Sequence, residues 1–112
     1  MAVVEAKSGK LLANLPIGDG VDGVAFDDAA RVAVSANGEG NLTVIGERKG
    51  KYEVLQTVPT KKGARTIAYD PGSHKVFTVT ADFGPLPAAT TQNPRPRPSI
   101  LPDSFVLMSA GK

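Results

Sequence analysis

The chain has 112 residues, 41% hydrophobic and 21% charged, and its 13 Lys+Arg against 11 Asp+Glu leave a formal charge of +2. That is one modest globular domain, and so small a basic excess is not the footprint of a nucleic-acid binder. The absence of cysteine excludes a disulfide framework and a thiolate zinc site, and no apolar run reaches the roughly 18 residues of a membrane-spanning helix.

The opening, MAVVEAKSGK, lacks the apolar core of a signal peptide and runs directly into strand-like sequence. It reads as the start of a pattern already under way, so the chain is expected to be part of something larger. From there the local signals are β throughout. Short segments rich in Val, Leu, Ile, Thr and aromatics are separated by Gly, Asp, Asn, Pro or Lys breaks. They predict strands over residues 2–6, 10–17, 23–26, 31–36, 41–45, 52–58, 65–69, 75–81 and 104–109. No window sustains the i, i+3, i+4, i+7 pattern of an amphipathic helix, and DDAARV (27–32) reads as a turn. Several strands are apolar on both faces. Val32 and Val34 alternate with Ala33 and Ser35, and Phe105 and Leu107 alternate with Val106 and Met108. Such strands are expected to lie between two layers, and small residues on one face suit close packing of sheet on sheet.

PLPAATTQNPRPRPSILP (85–102) holds most of the chain's nine prolines. It has the look of an interdomain linker or of a polyproline II ligand for SH3-like modules. The strand signal of SFVLMSA follows it, however. A long loop that leaves a sheet and re-enters it is the better reading.

The strands repeat. GVAFDDAARVAVSANGEG lies over RTIAYDPGSHKVFTVTADFG, with Val24–Asp27 on Ile67–Asp70 and, after a one-residue difference in the turn, Arg31–Ala36 on Lys75–Thr80. VVEAKSGKLLANLPIG lies over VIGERKGKYEVLQTVPT, placing Leu11, Leu12, Leu15 and Pro16 on Val54, Leu55, Val58 and Pro59. A four-stranded unit with a period of about 43 residues is the sequence signature of a β-propeller blade. The expected fold is therefore all-β: antiparallel four-stranded blades of an incomplete propeller. Residues 1–18 would end one blade, 19–60 would form a complete blade, and 61–112 a blade lacking its outer strand.

These residues resemble the YVTN or YncE-like family of β-propeller repeats. VVEAKSGKLLANLPIG is similar to the family's first half-repeat. VDGVAFDDAARVAVSANGEG and GARTIAYDPGSHKVFTVTADFG are similar to its second, with Asp22 where the family often has His. The resemblance covers nearly the whole chain apart from the proline-rich stretch and implies a C-terminal fragment of about two and a quarter blades. It also implies a bacterial protein of a family often periplasmic or exported, whose members close with about seven blades. Open blade faces lead us to expect self-association or contact with the missing blades.

In a propeller, alternate turns share one rim. That rim would carry the acids Asp19, Asp22, Glu39 and Asp82 with Asn37, a set of oxygen donors for a hard cation such as Ca²⁺. Lactonase-like propeller hydrolases use such groups near the axis. The spacing here matches no metal loop, and turn chemistry beside Gly18, Gly20, Gly38 and Gly40 explains these residues more simply. The same rim would carry Lys61, Lys62, Arg65, Arg95 and Arg97, a basic set able to hold a small anionic ligand or to stand as a solvated rim. His74 falls on the opposite rim with no nucleophile or carboxylate partner evident in the sequence, and reads as a turn residue. The expectation is a non-enzymatic structural or binding scaffold without cofactor or metal. A fragment of a metal-dependent hydrolase and an anion-binding propeller are the alternatives.

Overall fold

The computed structural model describes residues 1–111. Nine strands follow in chain order: β1 (Ala2–Val4), β2 (Leu11–Asn14), β3 (Val21–Asp27), β4 (Val32–Asn37), β5 (Asn41–Arg48), β6 (Lys51–Pro59), β7 (Arg65–Asp70), β8 (Lys75–Thr80) and β9 (Val106–Gly111). Every pairing is antiparallel, and the described residues contain no helix. The strands form a two-stranded sheet β1-β2, a four-stranded sheet β3-β4-β5-β6 and a three-stranded sheet β7-β8-β9. Within each sheet, sequence neighbours pair throughout, across short turns everywhere except between β8 and β9. The tightest of these turns is in ERKGK. Lys49 and Gly50 both take left-handed backbone (φ 50 and 79) and join Arg48 to its partner Lys51, as a two-residue hairpin turn requires.

β8 pairs with β9 over six residues, Lys75↔Gly111 to Thr80↔Val106. The proline-rich stretch therefore leaves the third sheet and returns to it. The base of this excursion is tied by a bridge between Phe83 and Ile100. Gly84 N–H donates to Ser99 O (2.8 Å) and Leu101 N–H to Asp82 O (2.8 Å). Prolines beyond that base cannot donate to a ladder, so the excursion adds no strand to an edge.

The four- and three-stranded sheets meet face to face. Val34, Ala36 and Leu42 are buried at the seam, with Val32, Val44, Val58, Ile67, Val76 and Ala110 packed around them. Gly23 lets the two inner strands approach, since a Cβ there would stand 3.1 Å from Ile67 Cγ2. The opposite faces are only partly covered. Val24 and Phe26 remain exposed on β3, and Phe105 (71% exposed) and Leu107 (62%) stand bare beside and on β9.

The pairing corrects the repeat alignment. Asp27 pairs with Val32 and Asp70 with Lys75, so the two turns have equal length, and Arg31 and His74 share the same left-handed φ of 55. Val32 thus corresponds to Lys75 and Val34 to Phe77, not to Val76 and Thr78. Glycines confirm the frame. A Cβ on Gly46 would meet Val32 Cγ1 and Arg31 O, and one on Gly111 would meet Lys75 Cγ and His74 O. A one-residue slip inverts every side chain on a strand, so the corrected frame explains why Phe77 and Val79 lie on the face turned away from the seam.

The β6–β7 connection rests on the β4–β5 turn. Thr60 N–H donates to Gly40 O (2.8 Å) and Gly63 N–H to Gly38 O (2.7 Å). Gly40 has φ 112, and a Cβ on it would stand 3.1 Å from Lys62 N. Both the left-handed backbone and the backbone-to-backbone approach exclude a side chain. Gly40→Ala is expected to cost about 1–3 kcal/mol, read as a lowered midpoint in urea unfolding with an unchanged slope.

Candidate functional site

Polar side chains gather at both ends of the sheets. At the end carrying the β4–β5 turn, four connections converge. Gly38 N–H donates to Gly20 O (2.9 Å) and Glu39 N–H to Asp19 O (3.2 Å). Thr80 Oγ1 donates to Lys62 O (3.3 Å). Beneath them Asn37, fully buried, donates through Nδ2 to Asn41 Oδ1 (2.7 Å) and Thr43 Oγ1 (2.9 Å). Asn41 Nδ2 passes the chain on to Glu39 Oε1 (2.6 Å). Gly18 N–H closes it from the β2–β3 connection, donating to Thr43 Oγ1 (3.3 Å). Asn37 Oδ1 and Ser35 Oγ are buried without a hydrogen-bond partner.

Of the acids considered from sequence, Asp22, Glu39 and Asp82 have side chains engaged within this end, while Asp19 contributes its backbone carbonyl. Asp22 Oδ2 accepts Thr66 N–H (2.7 Å), fixing a residue with φ 56. Glu39 accepts from Asn41, and Asp82 is ion-paired with Lys61. They serve the turns separately, and among the described residues no three His, Cys, Asp or Glu side chains are grouped to hold a metal ion. Of the bases, Lys61 is engaged with Asp82. Lys62, Arg65, Arg95 and Arg97 are exposed, and among the described residues these four make no ion pair. Lys62 lies in the connection under Gly40, Arg65 opens β7, and Arg95 and Arg97 lie on the proline excursion. Phe83, at the base of that excursion, reaches over Gly63, so the excursion starts against the connection that carries Lys61 and Lys62.

The opposite end holds a cluster not evident in the sequence. Asp27 ends β3 and is buried. Its Oδ1 accepts Ala30 N–H (3.0 Å), capping the β3–β4 turn. His74, in the β7–β8 turn, places Nδ1 3.6 Å from Asp27 Oδ2 and 3.2 Å from the Tyr69 hydroxyl. The Ala30 hydrogen bond holds the Asp27 carboxyl below its ordinary range against the opposing effect of burial, and Tyr69 and His74 add to the lowering. Burial pushes the Tyr69 hydroxyl up to about 12, assisted by its hydrogen bond to Asp27 and by the Asp27, Asp70 and Asp28 charges. The Ser73 hydroxyl, followed by the Gly72 and Ser73 N–H groups, lowers Asp70.

This cluster borders a cleft of about 1000 Å³ between the two larger sheets. The cleft wall is mostly apolar, with Val44, Leu55, Val58, Val76 and Ala110 among its residues. The arrangement ties the turn of one sheet to the turn of the next by a carboxylate, a phenol and an imidazole. It joins residues 47 positions apart in Asp27 and His74, beyond any local pattern. The one available signal was the repeat itself, which places Asp27 over Asp70 at the start of equivalent turns.

No family model, curated protein or solved structure matches this chain.

The cluster has opposite signatures at the two pH extremes. The lowered carboxyl of Asp27 stabilises the fold above the unfolded carboxylate value, about 3.9, and that contribution disappears as pH falls through the folded value. Asp27→Asn should therefore flatten the acid limb of stability against pH. The raised hydroxyl of Tyr69 contributes fully below the unfolded value, about 10, and is lost as pH rises towards about 12. Tyr69→Phe should remove the alkaline loss, and urea midpoints across pH would measure both.

Proposed function

We propose that the chain is a partial β-propeller of the YVTN or YncE-like type that works as a non-enzymatic scaffold. Its incomplete blades would be covered by further copies of itself or by other blades of the same propeller. The observation that carries this reading is the recurrence of one unit together with its exposed apolar faces. The β1–β2 and β5–β6 hairpins carry a bulge at the same place. Leu12 is unpaired between Val3↔Ala13 and Val4↔Leu11, and Leu55 is unpaired between Val44↔Gln56 and Ile45↔Val54. Repeats of this kind bury their faces only by stacking on neighbours. Val24, Phe26, Phe105 and Leu107 are exposed where a neighbour would lie, and apolar area of this kind marks an interaction surface.

The partner-facing end in this reading is the one carrying the proline excursion. Lys62, Arg65, Arg95 and Arg97 offer cationic groups free of ion pairs among the described residues, which favours a small anionic ligand as the second reading. A hydrolase reading draws no comparable support, since Asp22, Glu39 and Asp82 already hold partners within their turns.

Sedimentation velocity over a dilution series tests the scaffold. Oligomers should persist to low concentration, and a well-folded monomer at high dilution would count against the reading. For the anionic ligand, titration with inorganic phosphate should show binding that weakens with salt and falls several-fold in an Arg95→Ala, Arg97→Ala double variant.

A further inference from the structure

The third sheet ends at β9, whose outer edge is free, and beside that edge lies the apolar cleft between the larger sheets. The cleft is walled by β5 and β6 on one side and by Val76, Ser109, Ala110 and Gly111 on the other. A smaller hollow continues it along Val58, Pro59, Thr78 and Met108. A fourth strand added to β9 would lie over both. We propose that this strand is β2 of a second copy, which leaves β1 and pairs with β9. The proposal rests on the scaffold reading above and names the segment through which copies join.

The register follows from the pairings within the chain. Ala36 pairs with Leu42 and Val79 with Leu107. In the corrected frame Ala36 corresponds to Val79, so β9 repeats β5 with Leu107 in the place of Leu42. In the four-stranded sheet β6 meets β5 through Leu42↔Val58, Thr43↔Thr57, Val44↔Gln56 and Ile45↔Val54. β2 repeats β6 with Leu15 for Val58 and with the same bulge, Leu12 for Leu55. On β9, Leu15 therefore falls opposite Leu107, Asn14 opposite Met108, Ala13 opposite Ser109 and Leu11 opposite Ala110. Residues opposite one another in a ladder share a face. Leu15 covers Leu107 on the open face, and Leu11, which is 57% exposed on β2, enters the cleft beside Ala110. An apolar peptide chosen at random would lack the bulge that brings Leu11 and Leu15 into these places.

β9 presents six residues, Val106–Gly111, along an edge that no other strand occupies among the described residues. Free strand edges of this length are templates for pairing with another chain. Each copy carries one donor strand and one acceptor edge at opposite ends, so the contact is head to tail and can propagate.

The native chain has no cysteine, which makes disulfide trapping clean. Ala2 and Asn14 are exposed partners across β1 and β2. In an Ala2→Cys, Asn14→Cys variant, oxidation locks β2 to β1, and self-association should weaken by about tenfold or more and return on reduction. Mixing separate Leu15→Cys and Leu107→Cys chains should give an intermolecular disulfide. Leu15→Cys with Ser109→Cys, whose side chains would fall on one face but at different register positions, should give much less. Assembly that persists in the oxidised, locked variant, or cross-linking without register preference, would overturn strand exchange and leave the scaffold reading standing. A chain that is monomeric in every form would overturn both.

Discussion

At the seam between the larger sheets, Val34, Ala36 and Leu42 lie against Ile67, Val76 and Ala110. On one side stand residues of β4 and β5, and on the other residues of three strands from the next sheet. Burial of these side chains contributes on the order of 1.5–3 kcal/mol for each large aliphatic. Small residues set how close the two sheets come: Gly23 and Ala36 keep the inner strands near one another, while the bulkier Val58 lies towards the open side. The cleft is the continuation of the same seam to where the third sheet has no fourth strand to fill it.

The rest of the molecule is arranged around sheets that are apolar on both faces. A sheet of this kind is satisfied only between two neighbours. The inner strands of the four-stranded sheet are buried on both faces, with Val34, Ala36 and Leu42 at the seam and Ser35, Thr43 and Ile45 opposite, whereas the three-stranded sheet has one well-packed face. The consequence is an asymmetry between covered and bare residues on the same strand. Val106 and Met108 are half-buried whereas Phe105 and Leu107 face water. Such strands are stable where they are paired and adhesive where they are not. Association is therefore a consequence of the same pattern that forms the core.

The two ends of the sheets differ in chemistry. One is a knot of backbone hydrogen bonds and amides, built from glycine turns, with Asn37 buried among Asn41 and Thr43. Its order comes from connections that cross between sheets, and the stiff proline excursion extends it outward. The other end is held by Asp27, Tyr69 and His74, where charge and burial oppose each other and hydrogen bonding decides the balance. Both link neighbouring sheets, one through fixed backbone geometry and the other through groups that titrate.

Much of this was legible in the residues themselves. Alternating β-branched and aromatic residues between Gly, Asn and Asp breaks marked all nine strands, and the return of strand sequence at SFVLMSA identified the proline stretch as an excursion. The face assignment of Phe105 and Leu107 against Val106 and Met108 was also readable, because strand periodicity is local. The turn before β8 was misjudged by one residue. Similarity alone favours Arg31 over Lys75 and Val over Val, whereas the left-handed backbone at Arg31 and His74 is a conformation that residue similarity does not encode. Of the basic residues singled out, sequence placed Lys61, Lys62, Arg95 and Arg97 in connections and Arg65 at the start of a strand, but could not foresee that Lys61 would be neutralised by Asp82.

By itself, then, the sequence determined the strand content, the order of strands within each antiparallel meander and the presence of a repeated unit. These depend on side-chain alternation and on turns of a few residues. Only the tertiary structure decided which faces meet at the seam, that Asp27 is buried beside Tyr69 and His74, and that a cleft opens along β9. Those outcomes depend on contacts between sheets some forty residues apart in the chain, where packing shape and backbone approach govern and local pattern has no influence.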